Sequence, residues 1–386
     1  MVIVYERIDI LMIKKKMILF LLCAIVFAGC SKVSSTDSNK EQLYQSALSY
    51  IKDKHYPQAI GILRTLEDYK SSNNLLEQLH YIINGSYISA GFMCMGAVTQ
   101  DGGVIAVHGY ENALSTNDWR NIRHLSGDSY LDAISSDGKI ITTYPFTPDD
   151  IYESLKSSDS PISTGVNSIY EAADEILNFT DAKALISDYP IGCAIVTSNN
   201  TVKAAASTLS DEALKEISTW RDIISVAAFF PDIIGLKADG KVIYLNSQKP
   251  ELEKKMIDSW ENIVAIANGT YSFGLKSDGT VVSSDFSVTY NTRSWNDIIA
   301  ISASTKTYIG LKRDGTVVAY GDNTYGQQEV SDWTDIVAVS ASDNYTLGLK
   351  VDGTLVTTKY TGTADIFIPD VTGISNLYVP QIILNE

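Results

Sequence analysis

A unit of 36 to 39 residues returns along most of this chain, and that period restricts the fold more than any other feature. Asp-Gly pairs begin at Asp101, Asp137, Asp239, Asp278, Asp314 and Asp352, evenly spaced except for a gap of 102 residues after Asp137. The gap holds a degenerate copy, Phe179-Thr-Asp-Ala through Ile195-Val-Thr-Ser-Asn-Asn-Thr, in which Phe179 replaces Trp and Asn199-Asn200 replaces Asp-Gly. An insertion at about 147–178 accounts for the extra length. All five tryptophans, Trp119, Trp220, Trp260, Trp295 and Trp333, fall at one place in the repeat and read as packing residues.

Within a copy, alternation such as Ile336 to Ser340 marks a strand, and Gly-Leu-Lys-x-Asp-Gly-Thr-Val marks a hairpin. Asp-Gly points to a type I′ turn, with positive φ at both central residues. Asp222, Asp297 and Asp335, with Asn121 and Asn262 equivalent, follow the tryptophan by two and read as side chains that cap backbone groups between copies. A unit this small cannot bury both faces alone, so copies must stack, in a ring or a solenoid. The chain ends decide for a ring. The first copy has the Asp101-Gly102 hairpin but no Trp-x-Asp-Ile strand, whereas Asp370-Val-Thr-Gly-Ile-Ser375 supplies such a strand without a hairpin. Joined, they complete a seventh blade and leave no open sheet edge. The fold class is therefore mainly β, a seven-bladed β-propeller over residues 88–386.

Gly310-Leu-Lys-Arg-Asp-Gly-Thr-Val-Val-Ala-Tyr-Gly-Asp-Asn-Thr-Tyr-Gly-Gln327 resembles the repeat of the regulator of chromosome condensation family, a group of seven-bladed propellers. Only the sixth copy carries the full Gly321-Asp322-Asn323 and Gly326-Gln327 ending. A histidine common in such repeats is replaced by Tyr130, Asp232, Tyr271, Thr307 and Tyr345, so the family's face chemistry does not carry over. The resemblance implies the fold and a binding role of some kind, since the family includes nucleotide exchange on a small GTPase and enzyme inhibition.

The first thirty residues obey a different grammar. Lys14-Lys15-Lys16 precede an uncharged run, Met17 to Phe27, which ends at Ala28-Gly29-Cys30 before the polar Ser31 to Lys40. The run is roughly half the length of a membrane-spanning helix and reads as an export signal. It resembles a bacterial lipoprotein signal, which implies loss of residues 1–29, a lipid such as palmitate on Cys30, a flexible tether over 30–40, and anchoring on the extracytoplasmic face of the cell membrane. An ordinary secretory signal cut nearby is the alternative, and Met12 is a second candidate start. The mature chain has 26 basic against 44 acidic side chains, which excludes nucleic acid as a partner and holds the body off anionic lipid heads. Only Cys94 and Cys193 are left to pair; both lie in apolar, strand-like runs and read as buried thiols.

From Glu41 to about Ser86 apolar residues recur at helical spacing, as in Leu43, Ala47, Tyr50 and Ile51. Tyr50, Tyr56, Ala59 and Ile60, with Leu75, Leu79, Tyr81 and Gly85, resemble one tetratricopeptide-type helix pair. A single pair makes no peptide groove, so the segment 41–87 reads as a small helical hairpin that caps or spaces the propeller.

Nothing in the sequence assembles a catalytic or metal site. The four histidines, His55, His80, His108 and His124, form no His-Glu-x-x-His pattern, no Cys-x-x-Cys is present, and the Asp-Gly aspartates are explained by turn chemistry. No cofactor is expected. The candidate binding face consists of Phe229, Phe230, Tyr271 and Tyr345 at strand-connecting loops, together with Asp322, Asn323 and Tyr325 in the fullest repeat. The reading is a non-enzymatic, membrane-tethered module that engages an extracytoplasmic protein. A carbohydrate or cell-wall (glycan) binder is the alternative, and a hydrolase with loop-borne carboxylates the third.

Overall fold

The computed structural model describes residues 37–111, 113, 115–143, 179–188, 192–206, 209–245, 249–360 and 366–384. The export signal, Cys30 and the 147–178 insertion lie outside the described residues, as does the Cys193 side chain. The chain divides into two compact units, Met1–Gln42 and Leu43–Glu386. A helix, α1 (Asp37–Lys52), begins inside the segment read as a tether, so the helical pattern starts four residues earlier than its apolar spacing marks it. Two more helices follow, α2 (Tyr56–Leu63) and α3 (Ser72–Asn84), the last closed by Gly85 in the left-handed conformation.

Seven three-stranded antiparallel sheets follow, each in simple sequence order. Blade 1 contains β1 (Ile88–Ala90), β2 (Cys94–Val98) and β3 (Val104–His108), and blade 2 contains β4 (Ile122–Gly127), β5 (Leu131–Ser135) and β6 (Ile140–Thr142). Blade 3, the degenerate copy, contains β7 (Ala182–Asp188), β8 (Gly192–Thr197) and β9 (Val202–Ala206). A short helix, α4 (Asp211–Ser218), leads to blade 4, with β10 (Ile223–Phe229), β11 (Asp232–Lys237) and β12 (Val242–Tyr244). Helix α5 (Glu251–Asp258) precedes blade 5, with β13 (Ile263–Asn268), β14 (Ser272–Lys276) and β15 (Val281–Ser283). Helix α6 (Phe286–Thr292) precedes blade 6, with β16 (Ile298–Ala303), β17 (Thr307–Lys312) and β18 (Val317–Gly321); blade 7 contains β19 (Ile336–Ala341), β20 (Thr346–Lys350) and β21 (Leu355–Thr357). The first strand of every blade packs beside the first strand of the next, and β19 packs on β1, so seven inner strands surround one channel.

The tryptophans hold each blade against itself. Trp220, Trp260, Trp295 and Trp333 are buried and lie over Gly235, Gly274, Gly310 and Gly348, so closely that a Cβ on Gly310 would stand 2.9 Å from the Trp295 ring. The glycine of Gly-Leu-Lys is thus required by the indole that covers it. The Asp-Gly hairpin is not type I′. Only the glycine has positive φ, as at Gly279 (82°), and its N–H bonds the Lys276 carbonyl at 3.0 Å, which describes a three-residue loop: a type I turn followed by a left-handed residue. The aspartate carboxylate accepts from the backbone N–H two residues on, at 3.0 Å for Asp278 and Thr280.

The residues two after each tryptophan do a different job from the capping read in the sequence. Asn121, Asp222, Asn262, Asp297 and Asp335 all lie at φ between 55° and 63°, a conformation that Asn and Asp adopt at least cost among residues with a Cβ. That bend lets the next residue's N–H reach back to the preceding hairpin, as from Ile336 to the Gly315 carbonyl at 3.0 Å.

Ring closure uses the same latch. Asn376 (φ 60°) and Leu377 take the places of Asp335 and Ile336: Leu377 N–H bonds the Gly353 carbonyl at 3.2 Å, Gln100 N–H bonds the Asn376 carbonyl at 3.0 Å, and Leu377 bridges Thr99. The closing segment is therefore 376–378 rather than 370–375, which forms a turn, and the inner strand of blade 1 is β1, from the N-terminal side. Both termini contribute to that blade. The seam is buttressed by Ser340 Oγ, which accepts from Ala90 N–H at 2.9 Å. Ser302 and Ser126 make the equivalent bonds to Ala341 and Ser187 in the following blades.

The helices pack an apolar face of Ala47, Ile51, Ile60, Leu63, Leu75 and Leu79 against Val264, Leu275 and Ile298 of blades 5 and 6. They cover the channel end that carries the Asp-Gly hairpins, where Arg64 Nη1 donates to the Ile263 carbonyl at 2.6 Å. Among the described residues, no helix covers the other end.

Candidate functional site

The open mouth is where each inner strand turns into the middle strand of its blade. A cavity of about 340 Å³ enters the channel there, lined by Phe92, Asp128, Phe229, Phe230, Asn268, Ser304, Thr305 and Asp343 among others. Phe92 and Phe229 are 43% and 40% exposed, unusual for phenylalanine on a rigid sheet end.

The polar groups around them are fixed by neighbouring blades. Asp343 Oδ1 accepts from Thr305 N–H at 2.9 Å and Oδ2 from Thr305 Oγ1 at 2.6 Å, joining blade 7 to blade 6. Asp128 Oδ1 accepts from Phe92 N–H at 3.2 Å, joining blade 2 to blade 1 at the backbone that carries that ring. Gln327 is buried; its Nε2 donates to the Asp343 carbonyl at 2.6 Å and its Oε1 accepts from Tyr325 N–H at 2.8 Å. The full Gly-Gln ending of blade 6 thus positions Asp343. Asn268 Nδ2 donates to the Asp232 carbonyl at 3.2 Å, and Asp232 is held by Lys249, whose nearly buried ammonium also meets Glu253 at 3.5 Å. Two carboxylates and two exposed aromatic rings face the mouth, and no lysine or arginine is among its described lining residues.

The face residues expected from sequence divide. Phe229 and Phe230 line the mouth. Asp322, Asn323 and Tyr325 sit on the adjacent loop of blade 6, where the Asp322 carboxylate accepts from Thr324 N–H at 3.0 Å and Tyr325 packs edge-on against Tyr360, 5.4 Å between centroids. Tyr271 is half-buried, its N–H bonded by the Tyr308 hydroxyl at 3.3 Å, and lies outside the cavity lining. Tyr345 is a correction. It is 0% exposed, and its hydroxyl donates to the Cys94 carbonyl at 2.9 Å across the seam, so it fastens the ring and offers a partner no surface. Cys94 is a buried free thiol whose pKa burial drives upward. Phe92, Asp128 and Asp343 were not singled out from sequence; the signal was a small or acidic residue just after the inner strand.

Ser126, Ser302 and Ser340 spend their oxygens on interblade backbone bonds, and His124, driven down to about 4 by burial, is held by the Leu185 carbonyl at 2.6 Å. Among the described residues no group of three His, Cys, Asp or Glu side chains is placed to hold a metal ion.

Residues 298–327, most of blade 6, match the model of the regulator of chromosome condensation (RCC1) repeat. The fold is an RCC1-like repeat propeller. Among solved structures, the CRINKLY WD40 ectodomain of the Arabidopsis thaliana receptor kinase ACR4 is similar at 12% identity and a TM-score of 0.46, over 73% of this chain and 97% of that one. The ectodomain of the Physcomitrella patens receptor kinase CR4 is 12% identical at a TM-score of 0.45, over 73% and 74%. Prp20p from Saccharomyces cerevisiae is 13% identical at a TM-score of 0.34, over 78% and 73%. A search of curated protein sequences returns no match. The assignment of this RCC1-like propeller rests on its seven sheets and its matched repeat.

Proposed function

We propose that this chain is a membrane-tethered binding module, held by a lipid on Cys30, whose open channel mouth engages an extracytoplasmic protein. The observation that carries the reading is the pairing of exposed Phe92 and Phe229 with Asp128 and Asp343 on one rigid ring end while helices occupy the other. Aromatic anchors in a defined pocket, rimmed by oriented polar groups, are the usual make-up of an interaction hot spot. The test is crosslinking on intact cells with mass spectrometry. A partner captured by the native chain, lost with Phe92→Ala and Phe229→Ala, and kept with Phe286→Ala, which alters an exposed ring outside the mouth, is the expected result. Equal capture by all three variants overturns the reading. Cys30→Ala releases the chain from the membrane if the lipid is its anchor. The same rings and carboxylates also suit a sugar, so binding to cell-wall glycans that Phe229→Ala abolishes would move the assignment to a carbohydrate.

A further inference from the structure

At the covered end of the channel the helices do not seal against the blades. A cavity of about 840 Å³ remains between α3 and the inner strands of blades 2 to 4, within the range that takes a small organic molecule. Its charged lining is Arg64, Arg123 and Lys183, with His80 and His124 beside them, and Glu77 the one acid among the described lining residues. In a chain with 30 basic and 46 acidic side chains, that local excess runs against composition.

The cations are also incompletely used. Arg64 spends Nη1 on the Ile263 carbonyl, and Arg123 spends Nη2 on the Ala182 carbonyl. Those bonds fix both guanidinium groups, yet Arg64 Nε and Nη2, Arg123 Nε and His80 Nδ1 are buried with no partner. Buried donors without acceptors are rare and costly, and a buried cation needs a counter-charge. Asp239 supplies part of the counter-charge for Arg64. Burial lowers the Arg64 guanidinium to about 10, and burial together with Arg64 and Lys183 lowers His80 to about 3.

We infer that this cavity binds a small molecule with more than one oxyanion group, held by the charges of Arg64, Arg123 and Lys183 that line it. Arginine side chains around a cavity suit phosphate and carboxylate groups. The cavity shares Asn84, Ser86, His124 and Ala184 with the channel but none of Phe92, Phe229, Asp128 and Asp343 at the mouth. The test is calorimetric titration of the full-length chain with sodium pyrophosphate and with citrate, against chloride at matched ionic strength. Saturable binding of either ligand, weakened about tenfold or more in Arg64→Gln and Arg123→Gln and unchanged in Phe229→Ala, supports the site; pyrophosphate alone or citrate alone assigns the phosphate or the carboxylate class. Lys183→Gln removes charge without removing a hydrogen bond seen here, so it decides the matter if either arginine variant fails to fold. No heat beyond the chloride control for both ligands, or native affinity in Lys183→Gln and the folded arginine variants, overturns the inference.

Discussion

Asp335 shows how little a single side chain needs to do to matter in this ring. Its carboxylate takes a bond from the neighbouring Thr334 hydroxyl at 3.2 Å, but its φ of 61° is what allows Ile336 N–H to reach Gly315. Conformation, not charge, is therefore the requirement. Asp335→Asn and Asp335→Gly should leave the urea midpoint nearly unchanged, while Asp335→Val, forced to the same φ, costs about 1–2 kcal/mol. Equal loss in all three would return the position to side-chain capping. The tryptophans obey the opposite rule, because their contribution is volume. Trp333→Ala removes the indole packed on Gly348 and should cost roughly 3–5 kcal/mol, read as a lower midpoint with binding at the mouth intact where the chain still folds. Both roles leave a periodic mark, which made the tryptophan position legible in sequence. The mark does not say why, so the Asp and Asn positions were read as caps and the Asp-Gly turn was assigned the wrong type.

At the scale of the element, the latch between Leu377 and Gly353 matters more than any strand length. Blades 2 to 7 each follow their predecessor along the chain, but β1–β3 of blade 1 meet blade 7 through noncovalent contacts and through the returning segment 376–378. Ser340→Ala leaves Ala90 N–H without its acceptor and should lower stability by about 1–3 kcal/mol. Ser302→Ala deletes the same bond between blades 6 and 7, which the chain also joins directly. A greater loss for Ser340→Ala in urea unfolding identifies the seam as the weak junction, and equal losses deny it that status. The existence of closure could be read from two incomplete copies at the chain ends, because pairing an orphan hairpin with an orphan strand is a matter of repeat arithmetic. Its register could not: Asn376-Leu377 lacks the tryptophan that identifies every clear copy. Tyr345 was misplaced for a related reason. It follows a loop in sequence, but the neighbouring blade arrives from 251 residues away to bury it, and no local pattern reports that approach.

Across the whole molecule the channel is polarised, with Asp128 and Asp343 at the open mouth and Arg64, Arg123 and Lys183 at the covered end. The two ends therefore ask for ligands of opposite charge. Buried histidines near the cationic end give this arrangement a pH signature. His80 is lowered to about 3 and His124 to about 4, chiefly by burial. Between those values and the unfolded value near 6.5, the unfolded chain holds protons the native chain refuses, so stability declines as pH falls through this window, by about 1.4 kcal/mol per pH unit for each such proton. Asp132 opposes the trend. Burial raises its carboxyl to about 6, so between that pH and its unfolded value near 4 the native state holds the extra proton. The hairpin aspartates, held below the ordinary carboxylate range by threonine hydroxyls and backbone N–H groups, add to the acid loss only near pH 4 and below. Urea unfolding at pH 7, 6 and 5 should therefore show a falling midpoint, flattened in His80→Gln and steepened in Asp132→Asn, with Asp132→Asn also the more stable protein at pH 7. A midpoint that is constant or rises on acidification contradicts the burial of these histidines. A saturating oxyanion in the cationic cavity would reduce the fall, because a bound negative charge lets His80 accept its proton without unfolding.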